Sequence, residues 1–149
     1  MKLTTAIWAA LLLASPVAMA ADAVSKPAKP GRSQPVLIDL SVEAVMDGAT
    51  AKAMMAQAIP PAVWKLYPPR KWGFASQVEG GHTPDETCVI TARVMMAPLT
   101  VTKGLILRPE AGATAFGAIP KASREQCRQL AKDKLKEALD SMISSLVKT

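Results

Sequence analysis

SREQCRQLAKDKLKEALDSMISSLV, residues 123–147, decides how the rest of the chain is read. Its apolar positions are Cys127, Leu130, Ala131, Leu135, Ala138, Leu139, Met142, Ile143, Leu146 and Val147. They recur at i, i+3 and i+4, the stripe of an amphipathic helix. Arg124, Glu125, Arg128, Lys132, Asp133, Lys136, Glu137 and Asp140 fall on the other face. Ser123 is a good N-cap, and Gln126 three residues on completes a capping box. Pro120 keeps the helix from starting earlier. A one-sided helix of this length needs a sheet or other helices to cover.

The preceding chain supplies short strands. Val36-Leu37-Ile38-Asp39-Leu40-Ser41-Val42 is β-branched, with Pro35 before it. Trp72 to Glu79 alternates, with Trp72, Phe74, Ser76 and Val78 on one side. Gly80 to Glu86 reads as a turn by composition. Thr87 to Met96 is the strongest strand, carrying Cys88, Ile90, Ala92, Val94 and Met96 on one face and Arg93 on a wetter one. After Pro98, Leu99 to Leu107 reads as the next strand, with Gly104 a possible bulge. Residues 109–122 read as a Pro/Gly/Ala connection, with Phe116 a plug into the core. Ala44 to Ile59 reads as an Ala/Met helix with Val45, Ala49, Ala53 and Ala56 inward; Gly48 weakens it and Pro60-Pro61 stops it. The order is β-α-β-β-β-α. This is an α+β domain: a small antiparallel sheet covered on one face by helices. A helix of about 25 residues is about 37 Å long, and a ten-residue strand about 33 Å. The stripe from Met142 to Val147 is therefore expected to overhang the sheet, packing on the Ala/Met helix or forming a dimer surface.

The N-terminus has the features of an export signal. Lys2 is the positive end, Ala6 to Ala14 a short apolar core, and Ala18-Met19-Ala20 a small-x-small cleavage site. The core is too short to span a bilayer, and no cysteine stands at the cleavage site for lipid attachment. The expected organisation is a cleaved signal at 1–20, a flexible Pro/Lys-rich linker at 21–35 and a single domain at 36–149. The expected location is the periplasm, or a secreted state, after cleavage near Ala20. The net charge of +6 suits an anionic envelope component or an acidic envelope protein as partner, and nucleic acid less; ordinary solubility charge is the plainer account. Cys88 and Cys127 are the only cysteines. An even pair in an exported chain implies a disulfide, here fastening the long helix to the strongest strand.

Three clusters invite a chemical reading. Trp64, Tyr67, Arg70, Lys71 and Trp72 bring aromatic faces and cations together among prolines, which suits stacking, cation–π contact or a partner groove. The plainer account makes the aromatics the bulky part of an Ala/Val/Met core. His82 is the only histidine, with Glu79, Asp85 and Glu86 nearby; a metal or acid–base site is conceivable, but the spacing matches no ligand set and a solvated turn explains it. Met54-Met55 and Met95-Met96, with Met46 and Met142, suggest thioether ligation of copper, yet adjacent residues diverge on strands and helices and methionine fills cores. G-x-S-x-G, phosphate loops and dinucleotide fingerprints are missing from the sequence. The sequence thus points to a non-enzymatic exported binding or accessory protein with no metal or cofactor expected, monomeric or weakly dimeric. The alternatives are a self-associating assembly protein using the C-terminal helix and a small hydrolase or metal-dependent enzyme around His82.

Overall fold

Cys88 at the start of a strand and Cys127 in the first turn of the long helix form a disulfide, with Cα atoms 5.6 Å apart. The computed structural model describes residues 34–100 and 108–147, all within the compact unit Arg32–Thr149. Strands are β1 (Val36–Asp39), β2 (Trp72–His82), β3 (Cys88–Pro98) and β4 (Ala111–Ile119). Helices are α1 (Gly48–Ala58), α2 (Pro61–Leu66) and α3 (Arg124–Val147). The sheet runs β1-β2-β3-β4, antiparallel from β2 to β4 and parallel between β1 and β2. The fold is α+β with a mixed sheet. The parallel pair follows from the helical crossover between β1 and β2, which returns the chain to the same end before β2 begins.

α3 is capped as its sequence requires. The Ser123 N–H donates to Gln126 Oε1 at 2.7 Å, and the Gln126 N–H donates to Ser123 Oγ at 3.2 Å, closing the capping box. Its inward stripe is buried: Cys127, Leu130, Ala131, Leu135, Ala138, Leu139, Met142 and Leu146. This stripe packs on one sheet face, where Phe74, Ser76, Val78, Cys88, Ile90, Ala92, Val94 and Met96 are completely buried. α3 packs on α1 and α2 as well as on the sheet. Of the stripe expected to overhang, Met142 and Leu146 are buried and Val147 is exposed.

α1 begins later than Ala44. Asp47 is its N-cap, accepting the Thr50 N–H at 2.8 Å, and Gly48 sits in the first turn. The inward residues are Ala51 and Met55, while Ala49, Ala53 and Ala56 are exposed. Val45 is buried, but from the turn before the helix. With methyl groups nearly all round, the sequence sets the phase of this helix weakly; the larger Met55 and Ile59 decide it. β2 also runs further than composition suggests, through Gly80 and Gly81 to His82, and the turn spans only Thr83 to Thr87.

The largest correction concerns residues 109–122. They hold β4, the third strand of the meander, and not a connection. Phe116 is 62% exposed and does not plug the core. Alternation puts it on the opposite face from Ala115 and Gly117. The inward residues Ala111, Ala113, Ala115 and Gly117 are small because α3 lies close above them. A Cβ on Gly117 would stand 3.1 Å from Leu130 Cδ1 and 2.5 Å from Lys134 Cε. The close helix selects residues of low strand propensity, and this hid the strand. Of the expected Leu99–Leu107 strand, Leu99 donates its N–H to Lys71, and 101–107 lie outside the described residues. So do the export segment and all but the end of the linker.

Candidate functional site

α2 starts on Pro60-Pro61 and ends at Tyr67, whose N–H donates to the Val63 carbonyl at 2.8 Å. Lys71 and Trp72 then donate their N–H groups to the Pro68 carbonyl at 2.9 and 3.1 Å. This tight turn brings Trp64, Tyr67, Arg70, Lys71 and Trp72 to one corner. Trp64 meets Phe74 edge to face, with centroids 5.0 Å apart and planes at 78°. Tyr67 and Trp72 form a second such pair at 5.7 Å and 90°. The rings of Trp64, Tyr67 and Trp72 are half-buried and packed against the core. Arg70 and Lys71 are exposed. The corner thus combines locked aromatic edges, worth about 0.5–1.5 kcal/mol per pair beyond burial, with two solvated cations on its rim.

The His82 region is organised differently. The His82 Nε2–H donates to the Ala122 carbonyl at 2.8 Å, tying the end of β2 to the residue before the α3 cap. Asp85 is held inside the turn, accepting from the Thr83 hydroxyl at 2.6 Å and the Thr87 hydroxyl at 3.0 Å. Those bonds, the Thr83 hydroxyl foremost, hold the Asp85 carboxyl below its ordinary value. Two of the groups that suggested acid–base chemistry, His82 and Asp85, thus make bonds that brace the hairpin, while the Glu79 and Glu86 side chains are exposed. Among the described residues no three His, Cys, Asp or Glu side chains are grouped to hold a metal ion.

The methionines divide as their spacing requires. Met46, Met55, Met96 and Met142 are buried in the core. Met54 and Met95 are half-buried, and Met95 lies on the opposite sheet face from Met96.

Sequence reasoning missed one polar cluster. Ser76 is completely buried, and its hydroxyl donates to Asp39 Oδ1 at 2.8 Å. The Ser41 hydroxyl donates to the same oxygen at 2.6 Å and accepts the Val78 N–H at 2.9 Å. The signal was a serine on the inward side of an alternating strand, beside a strand ending in Asp39. With both serines satisfied, the cluster is a clasp between β1 and β2.

The helices occupy one sheet face. The other carries Val36 and Ile38 on β1, Gln77 and Glu79 on β2, Val89, Arg93 and Met95 on β3, and Gly112, Thr114, Phe116 and Ala118 on β4. No described helix packs on it, and exposure rises towards β4.

No family model matches the chain, and no curated protein sequence matches it significantly. Solved structures align weakly. A point variant of the PelC dodecamer from Paraburkholderia phytofirmans is 12% identical, covering 75% of this chain and 90% of that one, with a TM-score of 0.43. A second PelC dodecamer structure from the same organism gives 12%, 72%, 86% and 0.40. A protein from Caulobacter crescentus CB15 described as a candidate lipoprotein is 11% identical, covering 75% and 88%, with a TM-score of 0.37. Likenesses this weak carry no function to this chain. The disulfide fits an exported protein. No described helix is long and apolar enough to cross a membrane.

Proposed function

We propose that this chain is an exported, non-enzymatic binding or accessory protein of the cell envelope, periplasmic after cleavage near Ala20. Its contact surface is the corner built by Trp64, Tyr67, Arg70, Lys71 and Trp72. The observation that carries this reading is the division of labour at that corner: rings anchored in the core hold their edges still, while Arg70 and Lys71 stand in solvent beside them. Such a ledge is pre-organised, so little ordering entropy is lost on binding. The cations give it affinity for an anionic surface, and the ring edges a place for the apolar part of the same ligand. An anionic envelope amphiphile, or an acidic segment of another envelope protein, has this chemistry.

Charge reversal is the cleanest test, because both cations are exposed. The variant Arg70→Glu/Lys71→Glu should keep the wild-type melting temperature. It should lose sedimentation with vesicles of anionic phospholipid and lose the crosslinks that wild type forms in intact cells. Unchanged binding and crosslinking in the variant would remove the corner from consideration.

A further inference from the structure

We infer that β4 is a self-pairing edge, through which two copies of this chain join their sheets about a two-fold axis at Ala115. This surface is separate from the aromatic corner, and its test does not depend on that reading.

The argument begins with the backbone. β4 ends the sheet, and among the described residues no strand pairs with its outer side. The Thr83 N–H donates to Thr87, and the Leu99 N–H to Lys71. These bonds fix which β3 residues face β2: the odd-numbered ones, in the alternation of an antiparallel ladder. The even-numbered β3 residues therefore face β4, where their register partners are Ala111, Ala113, Ala115, Gly117 and Ile119. Gly112, Thr114, Phe116 and Ala118 are left with N–H and C=O groups directed away from the sheet. Another strand is the group that satisfies such a row.

The side chains do nothing to protect this edge. Ala111–Ile119 contains no charge and no proline, the devices that usually block edge pairing. The open-face side chains at the outward positions are small, except Phe116 at 62% exposure.

The occupant follows from self-complementarity. Placed antiparallel to a second copy about Ala115, Gly112 faces Ala118 of the second copy and Thr114 faces its Phe116. Both are pairs of outward-directed residues, so each makes two ladder bonds, and symmetry doubles the set to about eight. The two Phe116 rings become diagonal neighbours on the open face, within reach of each other. At each end the exposed Arg108 and Glu110 of one copy lie on either side of the exposed Lys121 of the other. A two-fold contact of this kind closes on itself and does not propagate.

Thr114→Pro removes one outward N–H and leaves the β3–β4 bonds intact, since edge strands accept proline on the solvent side. The measurement is sedimentation velocity of the oxidised exported chain at about 10 and about 200 µM, because association is set by mass action. Wild type should sediment as a dimer at the higher concentration. Thr114→Val, which keeps the N–H, should do the same, and Thr114→Pro should weaken association by roughly thirtyfold or more. As a check independent of that variant's folding, wild-type amide exchange should slow with concentration at Gly112, Thr114, Phe116 and Ala118. Arg70→Glu/Lys71→Glu should leave the dimer unchanged. A wild-type monomer at the higher concentration, or a dimer without protection at those four amides, would overturn the inference.

Discussion

The hydroxyl of Ser76, completely buried in β2, donates to Asp39 Oδ1 on β1 at 2.8 Å across a sequence separation of 37 residues. β1 is only four residues long, too short for its ladder alone to hold it firmly. The clasp made by Asp39, Ser76 and Ser41 supplements that ladder with side-chain bonds that cannot be replaced by water at Ser76.

Ser76→Ala should therefore destabilise the fold by about 1–2 kcal/mol, with most of the loss on the β1 side. Asp39→Ala should cost a similar amount, and the double variant less than the sum, since each substitution removes the same bond. Urea denaturation of the four proteins gives the coupling. An additive double variant would mean that the bond contributes nothing.

What could be read from the sequence depended on side-chain size. The stripe from Cys127 to Leu146 and the row Cys88, Ile90, Ala92, Val94, Met96 are large enough to fix a face, and both lie where their periodicity puts them. The disulfide joins them, as an even pair of cysteines in an exported chain implies. Reading failed where the chain is built of alanine and glycine. α1 kept its place but not its phase, and β4 was hidden because α3 presses on Ala115 and Gly117. Leu66 and Phe116 show the converse: large apolar residues exposed on the surface, whose burial hydrophobicity alone would have assumed. At the corner, spacing placed the five residues together, but only the fold separates half-buried rings from exposed cations.

Gly80 should prove far less replaceable than Gly81, although both have positive φ, at 134° and 151°. A Cβ on Gly80 would stand 2.0 Å from the Val89 carbonyl oxygen, whereas one on Gly81 meets nothing within 4 Å. Gly80→Ala must push β2 and β3 apart as well as strain its backbone, a cost of about 3 kcal/mol or more. Gly81→Ala bears the backbone strain alone, about 1–2 kcal/mol. Thermal unfolding of the two variants should rank them in that order; equal losses would show that β3 moves without cost.

Removing the disulfide should be the most damaging single chemical change. Cys88 and Cys127 are 39 residues apart, and closing such a loop restricts the unfolded chain by roughly 4 kcal/mol in the chain-entropy treatment. That is a large part of the stability of a domain this size. Cys88→Ala/Cys127→Ala should lower the urea midpoint strongly and steepen its slope, because the unlinked chain exposes more surface on unfolding. A lower midpoint with an unchanged slope would assign the loss to native packing around the two buried sulfurs instead.

Acid should weaken the fold through Asp47 and Asp85. The Thr50 hydroxyl, then the Thr50 N–H, hold the Asp47 carboxyl below its usual value of 3.8. At Asp85 the Thr83 hydroxyl is the largest cause, followed by its own backbone N–H and Thr87. A carboxyl whose folded value is depressed binds protons more readily in the unfolded state, so its contribution is present above the unfolded value and lost as pH falls through the folded one. Stability should thus be insensitive to these groups above about pH 5 and decline below about pH 4. Both side chains are fully exposed, so each effect is small and screened by salt. Asp47→Asn keeps the α1 cap, because asparagine accepts the same N–H, yet removes the titration. Carbonyl-carbon NMR of the wild type should show both carboxyls titrating below 3.8, the value they start from, and urea midpoints of Asp47→Asn should fall less steeply with acid. If both carboxyls titrated at or above that value, the capping bonds would not favour the charged form, and acid unfolding would have to arise elsewhere.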